Sequence, residues 1–171
     1  GDGDDYFSAL EMSCRVIKKI APGARVGGVY DREYGYIFLR DFAAEWSRHK
    51  VSADFLSVYC YRSRGAELIN GEVPYKHDAQ KPDFLLNYLT ENKALLKEYG
   101  VDVPVYVSEW NFTVINRNVL NDSCFKGAYV MKNLIDLYDQ TELLGYWFAT
   151  DLFVECEEAP KLLDGCCGLL S

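Results

Sequence analysis

Glu109 is the side chain of this sequence with the clearest capacity for chemistry. It closes an apolar segment, 103–110, that has the composition of a buried strand, and Ser108, Trp110 and Asn111 surround it. Holding a carboxylate at such a position costs free energy unless hydrogen bonds or a function compensate. Structural pairing with a nearby cation explains this glutamate less well than a functional role at the end of a strand does. We therefore predict that Glu109 is a functional carboxylate.

The ends of the other predicted strands carry side chains that could complete a site. The phenol of Tyr61 can donate a hydrogen bond to a carboxylate and keep it ionised. Trp147 offers a flat apolar face on which a sugar ring can stack, and Glu155 can accept hydrogen bonds from hydroxyl groups. Core filling explains Tyr61 or Trp147 equally well when each is taken alone, but their occurrence at one predicted face favours a site. The remaining candidates at strand ends are Asp31, Glu33, Tyr59 and Asp151.

Four helices and four strands alternate along the chain. The predicted strands are 24–30, 54–61, 103–110 and 143–148, and Asp151–Ser171 is predicted to be an irregular tail. The predicted helices run from Phe7 until Pro22-Gly23, from Leu39 to about Lys50, from Pro82 to Gly100, and onward from a cap at Asp122 or Ser123. Asp4 or Asp5 is predicted to cap the first helix.

Apolar residues at helical spacing predict which faces of the first and last helices are buried. In the first helix these residues are Phe7, Leu10, Cys14 and Ile17. In the last helix they are Cys124, Ala128, Met131, Ile135 and Tyr138.

Apolar strands that alternate with helices indicate a parallel sheet with right-handed crossovers and covered faces. The connections after the strands are the longer and more polar ones, and the segment 62–81 is predicted to be a functional loop. Polar chemistry is therefore expected at the carboxyl ends of the strands, as in a TIM barrel or an open doubly wound sheet. The absence of G-x-G-x-x-G and G-K-[S/T] motifs argues against a nucleotide-binding α/β domain.

The composition is that of one globular domain, with 171 residues, 49% hydrophobic, and a formal net charge of -8. An acidic chain without a stripe of lysine and arginine is not expected to bind nucleic acid. No apolar run reaches the roughly 20 residues of a membrane helix, and the acidic start is unlike a signal peptide. The six cysteines lack the spacing of a zinc site, so we expect reduced thiols, no metal and a cytoplasmic protein.

Four short motifs follow the order of the predicted strands. They are Arg25-Val26-Gly27-Gly28, Asp54-Phe55-Leu56-Ser57, Ser108-Glu109-Trp110-Asn111, and Gly145-Tyr146-Trp147 followed by Asp151-Leu152-Phe153 and Glu155. Together they resemble the K-V-G-G, D-F-V-S, T/S-E-W-N and G-Y-W…D-x-F-x-E patterns of glycoside hydrolase family 39, the family of β-xylosidases and α-L-iduronidases. The resemblance extends over nearly the whole chain. It implies an α/β fold in which residues 1–171 form strands five to eight, one half of a TIM (β/α)8 barrel.

The resemblance implies a retaining glycoside hydrolase that acts on β-xylosidic or similar bonds without a metal or organic cofactor. Glu109 would be the nucleophile and Tyr61 the phenol beside it. Trp147 and Glu155 would contact the carbohydrate substrate. Tyr59 is also expected to bind substrate, although the family usually has histidine at this position.

Two departures from the family pattern bear on activity. Gly165-Cys166-Cys167-Gly168 stands where the family has G-G-F-G, and the N-E-P motif that carries the acid/base glutamate is missing. Retaining hydrolysis needs two carboxyl groups about 5–5.5 Å apart, so we expect the acid/base residue outside this chain and no activity from the chain alone. An isolated half-barrel is expected to form a homodimer through its exposed edges. The alternative function is an inert sugar-sensing domain of a transcription regulator.

Overall fold

The structure, a computed structural model, describes residues 2–30, 38–63, 81–113, 120–121, 123–150, 152–153, 163–164 and 168. Its helices and strands alternate as the sequence predicts. In chain order they are α1 (Asp2–Ile20), β1 (Gly27–Val29), α2 (Leu39–His49), β2 (Phe55–Ser63), α3 (Phe84–Glu98), β3 (Val105–Thr113), α4 (Cys124–Asp136), β4 (Leu144–Tyr146), β5 (Leu152–Phe153) and β6 (Leu163–Asp164). Within the described ranges, no helix combines the length and the hydropathy that crossing a membrane requires.

Four parallel strands form one sheet in the order β1-β2-β3-β4. Leu56 donates its N–H to the Pro104 carbonyl at 2.9 Å, and Val107 donates to the Leu143 carbonyl at 3.0 Å. Because each strand lies beside the next one in the chain and a helix precedes each, the predicted parallel α/β architecture is confirmed. The antiparallel pair β5-β6 is an addition that the sequence analysis does not predict.

The chain consists of two compact units. The first contains 1–59, 88–108 and 141–143, and the second contains 60–87, 109–140 and 144–171. Each unit has its own buried aromatic cluster, and each is described by itself.

Aromatic rings of α1 and α2 form the core of the first unit. The rings of Phe7 and Phe42 lie 5.1 Å apart, and those of Phe42 and Trp46 lie 5.8 Å apart. Gly28 of β1 leaves room for this cluster, since a Cβ there would come within 2.5 Å of the Trp46 ring. Glycine at this position lets α2 approach the sheet closely.

Asp54 joins three parts of the first unit. Its Oδ1 accepts a hydrogen bond from Lys18 Nζ at 2.7 Å, and its Oδ2 accepts one from the Val26 N–H at 2.8 Å. These bonds hold α1 and the approach to β1 against the start of β2. The Lys18 hydrogen bond, followed by that of the Val26 N–H, lowers the pKa of the Asp54 carboxyl.

We expect Asp54→Asn to lower the free energy of unfolding by about 1–2 kcal/mol near pH 7, because a charge-assisted hydrogen bond is lost at a partly exposed site. The folded-state pKa lies below the unfolded value, so this stabilisation is present above about pH 4 and is lost as the pH falls through the folded value. Urea unfolding near pH 7 and near pH 3 measures the difference, with Asp102→Asn at an exposed position as the control. A difference that stays the same at both pH values would contradict the assignment.

The second unit packs α4 against aromatic side chains of β3 and β4. The Tyr129 ring lies 5.4 Å from Phe112 and 6.3 Å from Trp110, and Tyr146 meets Trp110 edge-on at 5.2 Å. Burial raises the pKa of the Tyr129 phenol, and the nearby Cys60 thiol adds to this effect. Tyr129 therefore stays neutral and belongs to the core.

The predicted buried face of α4 is wrong. The predicted residues Cys124, Ala128, Met131, Ile135 and Tyr138 are exposed, and the buried ones are Lys126, Tyr129, Val130 and Asn133. Both faces carry apolar residues, so hydrophobic spacing alone does not select between them. The polar residues on the buried face have partners there. Asn133 Nδ2 donates to the Tyr129 carbonyl at 2.7 Å, and Lys126 Nζ lies 5.8 Å from the centre of the Tyr146 ring.

The prediction for α1 is correct for most of its buried face and wrong for its cap. Phe7, Leu10 and Cys14 are buried, whereas Ile17 is 39% exposed because the last turns of the helix project into solvent. The helix begins at Asp2, so Asp4 and Asp5 lie inside it and cannot cap it.

The remaining predicted boundaries agree with the observed ones to within three residues. Ser123 occupies the N-cap position of α4, but its hydroxyl donates to the Leu120 carbonyl at 2.6 Å instead of capping the helix. The predicted alternative cap, Asp122, lies outside the described residues, as do 64–80 of the predicted loop and most of the tail.

Candidate active site

A carboxylate and a phenol meet near the ends of two strands. The Tyr61 hydroxyl, in β2, donates a hydrogen bond to Oε1 of Glu109, in β3. Tyr61 is buried, whereas Glu109 is half-buried. The phenol engages one carboxylate oxygen and thereby fixes the orientation of the group. The structure therefore brings these two predicted site residues together.

The second half of β3 presents polar and aromatic side chains to opposite faces. Glu109 and Asn111 share the face that meets Tyr61, because alternate residues of a strand point to the same side. Trp110 and Phe112 point to the other side and pack against α4. The strand thus holds its aromatic residues behind the sheet and turns its polar residues toward the candidate site.

Trp147 follows β4 directly and is hydrogen-bonded to β3 through both groups of its backbone. Its N–H donates to the Trp110 carbonyl at 2.9 Å, and its carbonyl accepts a hydrogen bond from Asn111 Nδ2. The indole is 42% exposed and its ring centre lies 4.6 Å from that of Phe148. An exposed aromatic face next to the strand that carries Glu109 can stack on the apolar side of a sugar ring.

The structure does not test the remaining predicted site residues. Tyr59 is half-buried in the first unit, where its carbonyl oxygen lies 3.5 Å from the Tyr88 hydroxyl. Its contact with substrate stays a prediction. Glu155, together with Asp31, Glu33 and Asp151, lies outside the described residues.

Asn111 is the site residue to which the sequence analysis gave no role. Its side chain is 1% exposed, and it accepts a hydrogen bond from the Phe112 N–H at 2.7 Å while donating to Trp147. The sequence feature that could indicate this role is an asparagine directly after a buried strand segment. A buried amide needs partners for both its donor and its acceptor, so such a residue is expected to hold other groups in place.

The groups gathered here define the available chemistry. A carboxylate can act as a nucleophile or a base, a phenol can orient and stabilise it, and an indole can bind an apolar ring face. The described part of the chain contains no cluster of three or more His, Cys, Asp or Glu side chains arranged to hold a metal ion. Cys14 and Cys60 are buried thiols, and Cys124 is an exposed one.

Comparison with known proteins decides the relationship. The protein-family model for glycosyl hydrolases family 39 matches residues 1–170 of this chain. The chain belongs to family 39. The matched residues include all four motifs that carry the resemblance, among them Ser108-Glu109-Trp110-Asn111.

Two relatives of this chain are β-xylosidases. The enzyme of Geobacillus stearothermophilus is 24% identical over 169 residues, which are 98% of this chain and 34% of that enzyme. The enzyme of Caldicellulosiruptor saccharolyticus is 29% identical over 173 aligned residues, covering all of this chain and 34% of that enzyme. The chain thus spans about a third of the length of these relatives.

A solved structure shares the fold. The GH39 enzyme of Xanthomonas axonopodis pv. citri superposes with a TM-score of 0.71 at 25% identity, over 96% of this chain and 32% of that enzyme. Four strands that match a third of a family 39 enzyme are consistent with part of a TIM barrel, as the sequence predicts.

Proposed function

We propose that this chain is the nucleophile-bearing part of a retaining glycoside hydrolase that cleaves β-xylosidic or similar bonds. The observation that carries the proposal is the hydrogen bond from Tyr61 to Glu109 at the end of β3. Membership of family 39 and the β-xylosidase relatives support the class of substrate. The exposed indole of Trp147 supplies an apolar surface beside the carboxylate.

The proposed reaction is a double displacement. A Glu109 carboxylate oxygen forms a bond to the anomeric carbon while the bond from that carbon to the leaving oxygen breaks, and the leaving oxygen takes a proton from a general acid. Water, deprotonated by the same acid/base group, then attacks the anomeric carbon and releases Glu109. We assign the acid/base role to a carboxyl group outside these 171 residues, because the sequence lacks the N-E-P motif.

Tyr61 contributes by holding the nucleophile. Its donated hydrogen bond fixes one oxygen of Glu109 and leaves the geometry of the carboxylate prepared for attack. The charge that leaves Glu109 during glycosylation returns to it when the intermediate breaks down, so the same hydrogen bond acts on both steps.

Trapping of the covalent intermediate tests the proposal. The probe is 2-deoxy-2-fluoro-β-xylosyl fluoride, applied to the longest natural polypeptide that contains this chain. Glu109 displaces fluoride, which leaves without protonation, and the 2-fluoro group slows hydrolysis of the resulting ester. Peptide mapping by mass spectrometry is expected to find the fluoroxylosyl group on Glu109. Labelling of another carboxylate, or xylose binding without any labelling, would contradict the proposal, and the second outcome would favour the sugar-sensing alternative.

We also propose that the isolated chain forms a homodimer. The sequence predicts contact through the exposed edges of the half-barrel, and the described residues offer a second surface for this contact, the exposed face of α4. This face has small residues in the first half of the helix, Cys124, Gly127 and Ala128, and large ones in the second half, Leu134 and Ile135, with the exposed Tyr138 just beyond the end of the helix. Two copies packed antiparallel about a twofold axis at Met131 would set each small residue opposite a large one. Together they would bury on the order of 1,000 Å², the lower end of specific interfaces.

Met131→Asp is expected to abolish this dimer, because it places two carboxylates on the twofold axis. Light scattering after size exclusion should give twice the 19.5 kDa chain mass for the wild type and one chain mass for the variant. Met12→Asp in α1 is the matched control, since Met12 and Met131 are 60% and 58% exposed. A wild-type monomer at all concentrations, or equal effects of the two substitutions, would contradict the proposed interface.

A further inference from the structure

The side chain of Asn111 makes a hydrogen bond that a backbone N–H makes in a regular sheet. β4 ends as a regular strand at Tyr146, yet the next residue is still bound to β3. The Trp147 N–H donates to the Trp110 carbonyl at 2.9 Å, which continues the backbone ladder by one bond. The Trp147 carbonyl then accepts its hydrogen bond from the Asn111 side chain.

Both ends of the Asn111 amide are engaged. Nδ2 donates to the Trp147 carbonyl, and Oδ1 accepts the Phe112 N–H at 2.7 Å. The second bond fixes the amide against its own strand, so the direction of the first bond is fixed as well. With the side chain 1% exposed, this amide is held within the protein and its two polar atoms are directed at backbone groups.

The two backbone bonds of Trp147 constrain its ring. When the N–H and the carbonyl of one residue are both fixed, the direction of its Cα–Cβ bond is fixed, and only side-chain rotation remains. The ring contacts Phe148 and is otherwise 42% exposed. Its placement beside the Glu109 strand therefore depends on the backbone, and one of the two backbone bonds is made by Asn111.

We propose that Asn111 is a positioning residue that sets the Trp147 indole for binding the apolar face of a sugar. The inference rests on the proposed function, because it assigns the indole to the carbohydrate subsite. Asn111 acts through the carbonyl of Trp147 and does not itself touch the sugar.

The chain offers a matched control in Asn133. This residue is also fully buried in the second unit, and its Nδ2 donates to the carbonyl of an aromatic residue, Tyr129, at 2.7 Å. Asn133 lies in α4, behind the sheet. Asn111→Ala and Asn133→Ala each remove a buried amide-to-carbonyl hydrogen bond, and Asn111→Ala also removes the acceptor of the Phe112 N–H. Both should lower stability, while only Asn111→Ala should affect Trp147.

Fluorescence provides a readout that needs no sugar. Of the three tryptophans, Trp46 and Trp110 are 3% and 0% exposed, whereas Trp147 is 42% exposed. Quenching by acrylamide therefore reports mainly on Trp147. Asn111→Ala is expected to change the quenching constant, and Asn133→Ala is expected to leave it at the wild-type value.

Kinetics of the longest natural polypeptide that contains this chain give the second readout. With an aryl β-xyloside, Asn111→Ala is expected to raise KM about tenfold with kcat within about twofold, since a stacking surface contributes equally to ground-state and transition-state binding. In a Trp147→Ala background, the same substitution should have no further effect on KM. Asn133→Ala should leave KM unchanged.

The outcomes separate the two proposals. If wild-type protein hydrolyses no xyloside and is not labelled, the proposed function fails, while quenching still tests the positioning role. If quenching and KM are unaffected by Asn111→Ala, or if Asn133→Ala changes them equally, the positioning role is overturned. Should Asn111→Ala fail to fold, Asn111→Ser is measured instead, since it removes the amide and keeps a polar group.

Discussion

Glu109→Gln is expected to lower the kcat for xyloside hydrolysis by a factor on the order of 10⁴–10⁶ in the natural polypeptide that contains this chain, the range found for removal of an enzymatic nucleophile. An amide has nearly the shape of the carboxylate, but its oxygen is too weak a nucleophile to displace the leaving group. The Tyr61 phenol can still donate to the amide oxygen, so the site keeps its shape. Affinity for xylose is therefore expected to stay within about threefold of wild type, as isothermal titration would measure.

Glu142 provides the control for this substitution. Its carboxylate also accepts a hydrogen bond from a tyrosine, Tyr106, at 2.7 Å, and from Arg25 at 2.5 Å. It is exposed and belongs to the first unit. Glu142→Gln should leave hydrolysis unchanged. Retention of more than about a hundredth of the activity by Glu109→Gln would exclude Glu109 as the nucleophile.

Tyr61→Phe is expected to lower kcat by about 10- to 100-fold, because the carboxylate loses the hydrogen bond that holds it in the orientation for attack. The ring and its packing are kept, so the fold should be little affected. Rates of labelling by the fluoroxylosyl fluoride should fall by a similar factor, since attack by Glu109 is the labelling step.

Tyr106→Phe is the matched control for the loss of a phenol. Tyr106 stacks on Phe55 at 4.4 Å and donates to Glu142, so the substitution removes a phenol–carboxylate bond of the same kind away from the candidate site. Equal losses of activity in the two variants would indicate a general effect of stability. A loss confined to Tyr61→Phe would support its role beside the nucleophile.

The sequence predicted the elements well because their signals are local. Strand segments such as 54–61 are rich in apolar and aromatic residues, and Gly100, whose φ is 74°, marks the end of a helix. The pairing of Tyr61 with Glu109 was also predictable, because both residues stand at the ends of strands that were expected to run parallel. The end of each strand is marked by its own residues, and the expected parallel order of the strands then brings Tyr61 and Glu109, 48 positions apart, to the same end of the sheet.

The errors arose where tertiary contacts decide. α4 is apolar on two faces, and only the aromatic layer of Trp110, Phe112 and Tyr146 shows which face is buried. A buried Lys126 is contrary to any hydrophobic pattern, yet the face of a ring stabilises it. The bond from Asn111 to the Trp147 carbonyl joins residues 36 positions apart, so no local pattern could indicate it.

The two glycines of β1 limit which mutations can be tolerated at the residues packed against them. A Cβ on Gly27 would come within 2.1 Å of the Phe55 ring, and one on Gly28 within 2.5 Å of the Trp46 ring. A mutation of Gly28 to alanine becomes tolerable only after position 46 has lost volume, and the smaller side chain at 46 leaves a void that the alanine can then fill. Natural variation at these paired positions should therefore be correlated, and the substitution that reduces the large side chain should precede the one that replaces the glycine.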